Sequence, residues 1–246
     1  MHVMFEANRL LQAVEPAERQ RFVGRLQQVE LRKGQILHHI GSPAEWVYFP
    51  SRGLISVLSE TVAGESVGCG IIGRDGAVGI FEACGSRRLF LTAIVRIAGE
   101  GVRASAATYR ELFASSSGLR TAVHKNMEML MMEARQFVVC NALHGVEARL
   151  ARFILDALDR SKLEHALPLT QETLAQMLGA QRTTIASCMS KLQRNKVIRG
   201  GRGAVYVLDQ QGLEQATCSC HETMEYARRA IQASNDASCE GALASA

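Results

Sequence analysis

Seven side chains able to donate hydrogen bonds to a polyanion recur along one short stretch: Arg182, Thr183, Thr184, Ser187, Ser190, Lys191 and Arg194. On a helix lying in a major groove, such groups reach phosphate oxygens and base edges. From Arg182 to Arg202 there are six basic residues (Arg182, Lys191, Arg194, Lys196, Arg199, Arg202) and no Asp or Glu. A segment so free of acid suits a partner whose affinity comes mostly from charge neutralisation. Thr170, Gln181 and Arg202 complete the predicted contact set.

The elements that must hold these groups are legible in the same stretch. Thr170 can cap a first short helix whose Leu174, Ala175, Met177 and Leu178 face inward, and Gly179 ends it. A tight turn at Gly179-Ala180-Gln181 leads to a second helix, about Arg182 to Asn195, with Ile185, Met189 and Leu192 as its buried stripe. Val197-Ile198-Arg199 and Ala204-Val205-Tyr206-Val207 then read as two strands joined by Gly200-Gly201-Arg202-Gly203, a hairpin turn. Two helices followed by such a hairpin make a winged helix-turn-helix.

A second group with chemical potential is Cys218-Ser219-Cys220-His221, which with Cys239 or His165 has the donors for a four-ligand zinc site. Cys-x-Cys is not the usual chelating spacing, so Cys218, Cys220 and His221 read rather as surface groups on a terminal helix. The methionines at 127, 129, 131 and 132 read as packing in a seam rather than as a soft binding surface. Arg87 and Arg88 read as a solvated loop and Gly73-Arg74-Asp75-Gly76 as a turn. No nucleophile motif, metal-ligand His pair or phosphate loop is present, which leaves an enzymatic reading without support.

With 246 residues, 47% of them hydrophobic, the chain has room for two domains and a sizeable core. The net charge is only +4, so the placement of charge around the second helix says more than its sum. No stretch approaches the roughly 18 apolar residues of a membrane span, and no leader precedes the first element, so the expected location is the cytoplasm. Seven scattered cysteines suit a reducing compartment and free thiols.

Taken in order, residues 4 to 29 carry a helical pattern (Phe5, Leu10, Leu11, Val14, Phe22, Leu26, Val29) broken at Pro16. From Leu31 to Val102, short apolar runs divided by glycines predict strands at 35–37, 46–49, 54–58, 67–72 and 91–97, an antiparallel barrel or jelly roll. Residues 105 to 115 return to helix. Leu119 to Ala142 reads as one long helix with Val123, Met127, Leu130, Met131, Ala134, Phe137 and Val138 in a coiled-coil-like seam whose natural partner is a second copy. Residues 146 to 160 form an amphipathic helix that floors the C-terminal domain. A further helix is predicted from Leu213 to Ile231, and the Ala- and Ser-rich tail from Ala233 reads as disordered. The fold class is therefore α+β, with a barrel domain at 1–116, a long dimerisation helix and hinge at 117–144, the winged helix-turn-helix at 145–212 and a C-terminal helix and tail at 213–246.

A barrel, a long helix and a winged helix-turn-helix in that order resemble the Crp/Fnr family of bacterial transcription regulators. The motifs that carry the resemblance are Leu169-Thr170-Gln171-Glu172-Thr173-Leu174-Ala175, Leu178-Gly179, Arg182-Thr183-Thr184-Ile185 and Lys191-Leu192-Gln193-Arg194. The resemblance implies a homodimer whose second helices enter the two halves of a near-palindromic duplex site, with RNA polymerase a further partner if the protein activates. Where family members present Arg, Glu and a second Arg to the bases, this chain has Arg182, Thr183 and Ser187, so a different half-site is expected. Where cyclic-nucleotide-binding members carry a Gly-Glu pair and an Arg-Ser/Thr-Ala triplet, it has Gly79-Ile80 and Leu91-Thr92-Ala93. A buried cyclic phosphate without its Arg is poorly paired, so no cyclic AMP binding and no other cofactor is predicted. The N-terminal cysteine cluster of iron-sulfur members is also missing, since the first cysteine is Cys69. The competing reading is a redox-, metal- or small-molecule-responsive signalling module whose C-terminal domain makes protein contacts.

Overall fold

Asn8 ties the start of the chain to the strands that follow. Its amide donates to Pro50 O (2.8 Å) and Gly76 O (2.9 Å), while its carbonyl oxygen caps α1 (Arg9–Gln12) by accepting from Leu11 N. The computed structural model describes residues 7–233; Phe5, Cys239 and the tail expected to be disordered lie outside them. Pro16 opens α2 (Pro16–Arg19), as its fixed φ and missing N–H favour. The predicted helical run ends sooner than expected, since Val29 already belongs to a strand, β1 (Gln27–Leu31).

Five antiparallel strands follow from the alternating runs: β1, β2 (Ile36–His38), β3 (Trp46–Glu60), β4 (Ser66–Ile72) and, after the short α3 (Ile80–Cys84), β5 (Thr92–Ser105). They form one sheet in the order β1-β5-β3-β4, with β2 also on β5. The two runs expected at 46–49 and 54–58 are one strand of 15 residues. It stays continuous past Pro50, which has no N–H for the ladder, because the pairing with β5 shifts register between Pro50 and Ile55.

Ser105 caps α4 (Ala106–Ser115) and Ser116 caps α5 (Ser117–Leu143), a helix of 27 residues. Glu18 reinforces the second cap, accepting from Gly118 N (3.0 Å) and Ser117 Oγ (3.1 Å) as well as from Ser116 Oγ. The hydrogen bond from Ser116 leads the causes that lower the Glu18 pKa. The first turns of α5 pack inward: Leu119, Ala122 and Val123 join the cluster of Phe22, Val47, Phe49 and Tyr109. Val123 is thus part of its own subunit's core rather than of an outward seam.

After Gly145 come α6 (Val146–Ser161), β6 (Ala166–Leu167), α7 (Gln171–Leu178), α8 (Arg182–Arg194), β7 (Ile198–Gly201), β8 (Ala204–Val207), α9 (Gln210–Gln215) and α10 (Cys220–Ala233). β6, β8 and β7 form a small antiparallel sheet, in that order. The single terminal helix expected from Leu213 to Ile231 is two helices. Asp209 caps the first, accepting from Gly212 N (3.0 Å), and the chain then turns so that α10 packs back along α5. Among the described residues no helix is long and apolar enough to cross a membrane.

The core does not stop at the boundary between the two halves. Leu150, Ile154, Leu174, Met177, Leu178, Ile185 and Leu192 belong to one buried cluster with Leu54, Leu58, Ile71 and Ile97 of the large sheet.

Candidate nucleic-acid interface

Thr170 accepts from Thr173 N (3.1 Å) at the start of α7, and Gly179, at φ +57, closes it with its N–H on Ala175 O. Gln181 then leads into α8 without a side-chain cap bond. Ile185, Met189 and Leu192 are buried against α6 and α7, which turns the opposite side of α8 outward. On that side Gln181, Arg182, Thr183, Ser187, Ser190, Lys191 and Arg194 are exposed, and Thr184 is half-buried. Gln193 ties the helix to the hairpin by accepting from Gly200 N (2.8 Å). Arg202 sits exposed in the hairpin turn, and Arg199 stacks over Tyr206 at 4.4 Å.

Three members of the predicted set are already engaged: Thr170 in the cap of α7, and two on α8. Lys191 Nζ pairs with Glu147 Oε2 of α6 at 2.7 Å, and Ser190 Oγ donates back to Ala186 O at 2.9 Å. Arg182, Thr183, Ser187, Arg194 and Arg202 remain as the outward donors. Glu147 lies too far along the sequence for periodicity within α8 to have revealed it.

The opposite side of this domain rests on the large sheet. Arg96 Nη2 donates to Gln176 Oε1 (2.6 Å) and Gln176 Nε2 to Ser66 Oγ (2.8 Å), while Lys33 Nζ donates to Pro168 O (3.1 Å). Helix α7 lies so close over β4 that a Cβ placed on Gly68 would stand 2.8 Å from Met177 Cα and 2.9 Å from Met177 O. At the far end of α6, the buried Arg160 donates to Ile71 O (2.7 Å), lies 3.3 Å from Asp75 Oδ2 and pairs with the buried Glu133 of α5. Burial pushes the Glu133 carboxyl up, and the Arg160 guanidinium beside it opposes the rise. Asp159 joins Arg9 and Arg74, both at 3.0 Å; burial raises its pKa, but the two guanidiniums outweigh that and leave it lowered.

Helix α5 changes character along its length. Beyond Val123, Met127 (46% exposed), Met131 (56%), Val138 (70%), Val139 (41%) and Leu143 (74%) form an uncovered apolar stripe, with Ala134 exposed among them. Leu130 and Phe137 are half-buried, and Phe137 carries the Arg152 guanidinium over its ring at 4.9 Å.

In the sheet domain, the stretches that would hold a cyclic nucleotide are apolar or closed. Ile80 and Ala83 are buried, Ala93 is 2% exposed, and Thr92 spends its hydroxyl on Glu60 Oε1 at 2.6 Å. Gly79, at φ +88, stands against His38 and the Trp46 carbonyl. Burial lowers the His38 pKa, which keeps that ring uncharged at neutral pH. Arg87 and Arg88 are exposed.

The cysteines correct the sequence reading more sharply. Cys218 and Cys220 are 7% and 1% exposed, buried against Cys140 rather than on the surface. Among the described residues their partners are Cys140 and His144, from the end of α5, rather than His221 or His165; Cys239 lies outside those residues. Burial pushes the Cys140 thiol up to about 12. The six described cysteines are all free.

An antiparallel sheet domain, a long helix with an open apolar stripe, and a winged helix-turn-helix with an acid-free outer face define the architecture of a helix-turn-helix protein with a DNA-binding type of domain at its C-terminal end. Residues 148–216 match the family model described as Crp-like helix-turn-helix domain, and the chain as a whole is similar in fold to solved structures that include one from Eubacterium rectale described as a transcriptional regulator of the Crp/Fnr family. Over 66 residues it is 36% identical to the HTH-type transcriptional regulator Cmr of Mycobacterium tuberculosis, a match spanning 27% of this chain and 25% of that protein. Among solved structures, FixK2 from Bradyrhizobium japonicum superposes with a TM-score of 0.68 at 15% identity, covering 78% of this chain and 98% of that one. The global regulator CLP of Xanthomonas campestris, described as c-di-GMP responsive, gives 0.64 at 18% identity, with 78% and 99% covered. A CRP-family transcriptional regulator of Thermus thermophilus gives 0.64 at 18%, with 76% and 95% covered.

Proposed function

We propose that this protein is a sequence-specific, DNA-binding regulator of transcription that acts in the cytoplasm as a homodimer on a near-palindromic site. The observation that carries the reading is the outward face of α8, where Arg182, Thr183, Ser187 and Arg194 stand exposed beside Arg202 with no acidic residue on the helix or wing. The apolar stripe from Met127 to Leu143 supports dimerisation, since a second copy of the same helix covers it in kind. Such a dimer presents two reading helices to successive turns of one face of the duplex. Arg182 is the base-reading member, able to take guanine O6 and N7 together, and Arg202 grips the backbone. Thr183 in place of a carboxylate removes the acceptor for a cytosine amine, which changes the half-site. RNA polymerase is a further partner where the protein activates.

The sheet domain does not take cyclic AMP: Ile80, Ala83 and Ala93 offer no charge, and Thr92 is committed to Glu60. Selection of bound duplexes from a random pool, at two salt concentrations and with and without cyclic AMP, tests these statements together. Enrichment of a near-palindrome, weakened by salt and indifferent to cyclic AMP, is expected. Failure to enrich any sequence, with protein partners captured through the exposed face of α8, would replace the reading with that of a signalling module.

A further inference from the structure

Four potential metal ligands converge where α5 ends and α10 begins. Cys140 lies in the last turn of α5 and His144 is that helix's C-cap, four residues on, so both project to the same side. Cys218 precedes α10 and Cys220 is its first residue. The break between α9 and α10 brings the two pairs together. Cys140 Sγ is 3.5 Å from Cys218 Sγ, Cys220 Sγ is 3.3 Å from His144 Nδ1, and all four ligand atoms lie within 4.8 Å of one another.

These separations have the size of a single coordination shell. A tetrahedron built on a zinc–sulfur bond of about 2.3 Å has edges of about 3.8 Å, so the four atoms need move only a few tenths of an ångström to about 1 Å to close on one ion. We propose that Cys140, His144, Cys218 and Cys220 form a Cys3His site for zinc, which staples the C-terminal helix to the end of the long helix. Three soft thiolates and one imidazole in a closed, four-ligand set select zinc over hard cations such as magnesium or calcium. The narrow spread suits one ion rather than a cluster of several.

The surroundings carry what such a site requires. Gln136, one turn before Cys140, donates its amide to Cys220 Sγ at 3.0 Å, a hydrogen bond that steadies a thiolate. Arg152 of α6 is 4% exposed, lies 3.5 Å from Met224 Sδ of α10, and acts electrostatically to favour the Cys140 thiolate. Its Nε has no hydrogen-bond partner, while Nη1 pairs with Asp156 at 2.9 Å. A Zn2+ ion with three thiolates leaves one net negative charge, and the guanidinium of Arg152, shared with Asp156, lies within electrostatic reach of Cys140. Binding releases the thiol protons to solvent, so affinity rises with pH.

The location gives the ion a lever. His144 is followed directly by Gly145, the N-cap of α6, so a ligand on His144 fixes the backbone at the joint between the long helix and the reading domain.

The test uses the full-length protein purified under reducing conditions. Elemental analysis is expected to find one zinc per chain that survives dialysis against a weak chelator. After replacement by cobalt, the spectrum is expected to show intense ligand-field bands and thiolate-to-metal charge transfer, as four-coordinate thiolate sites give. Cys140→Ser with Cys218→Ser is expected to abolish both signals, and Cys69→Ser, at an exposed position on β4, to leave them unchanged. Stripping the ion is expected to speed tryptic cleavage after Arg228 and Arg229. Weak six-coordinate cobalt bands, zinc retained in the double variant, or the absorption of an iron-sulfur cluster would each overturn the proposal. So would a Cys140–Cys218 disulfide whose reduction restores no metal uptake. The cobalt spectrum of the unaltered protein decides even if the double variant does not fold.

Discussion

Replacing Gly68 by Ala isolates the seating of the reading domain on the sheet. The added Cβ meets the backbone of Met177 at 2.8 Å and 2.9 Å, and helix backbone cannot turn aside as a side chain can. Overpacking of this kind costs about 1–3 kcal/mol. Gly70, two residues along the same strand, has nothing within 4 Å of an added Cβ and so provides the matched control. The gain of about 0.4–1 kcal/mol that a Gly to Ala change brings through the unfolded chain is common to both variants and cancels, so they should differ by the overpacking cost, about 1–3 kcal/mol. At about 2–4 °C per kcal/mol for a chain of this size, that separates their melting temperatures by about 2–12 °C. Urea titration of both proteins, followed by circular dichroism, gives the free-energy difference directly. Equal midpoints for Gly68→Ala and Gly70→Ala would refute the docking of α7 on β4.

Three other outcomes are expected. Arg182→Ala should weaken binding to a selected site by about 1–3 kcal/mol and relax preference at one base pair, whereas Arg202→Ala should weaken selected and random duplexes alike in titrations by fluorescence anisotropy. Arg160→Met should destabilise the fold by about 3–5 kcal/mol because it leaves the buried Glu133 only Arg228, 3.8 Å away, and adding Glu133→Leu should recover most of the loss in urea titration. Asp159, with its pKa lowered by Arg9 and Arg74, stabilises the fold fully above the unfolded value near 3.8 and progressively less as pH falls through the folded value. Asp159→Asn should therefore flatten the acid limb of the melting temperature against pH.

The reading helix was legible because every requirement for it is local. Thr170 and Gly179 punctuate, Ile185, Met189 and Leu192 set the buried side, and the hairpin turn announces itself in glycines. The long helix was legible as a helix but not as a surface: periodicity put Val123 and Met131 in one seam. The sheet domain claims the first turns, and only the later ones stay open. The zinc ligands were half visible. Cys218 and Cys220 stand out by their spacing, but the residues that meet them, Cys140 and His144, lie 78 and 76 residues earlier, at the end of a helix. Nothing local predicts that α10 folds back. The split of the terminal helix escaped for a related reason, since Ala216 to Ser219 contains neither glycine nor proline. There the capping of α9 and the burial of Cys218 decide where the helix ends.

The buried cluster shared by sheet and reading domain sets how strong a controlling signal must be. Leu54, Leu58, Ile71 and Ile97 are closed over on one side by helices α6 and α7, so swinging the reading domain away wets apolar side chains on both surfaces. Re-exposing even two or three of them costs on the order of 3–9 kcal/mol. A ligand can shift that balance only by its preference for one arrangement over the other, and about 5.5 kcal/mol corresponds to roughly ten-thousand-fold tighter binding. On the function proposed above, control comes from a group with that much preference for one arrangement, or from joining two chains along the stripe of α5, where the reading heads are brought into register without being lifted from their mounts.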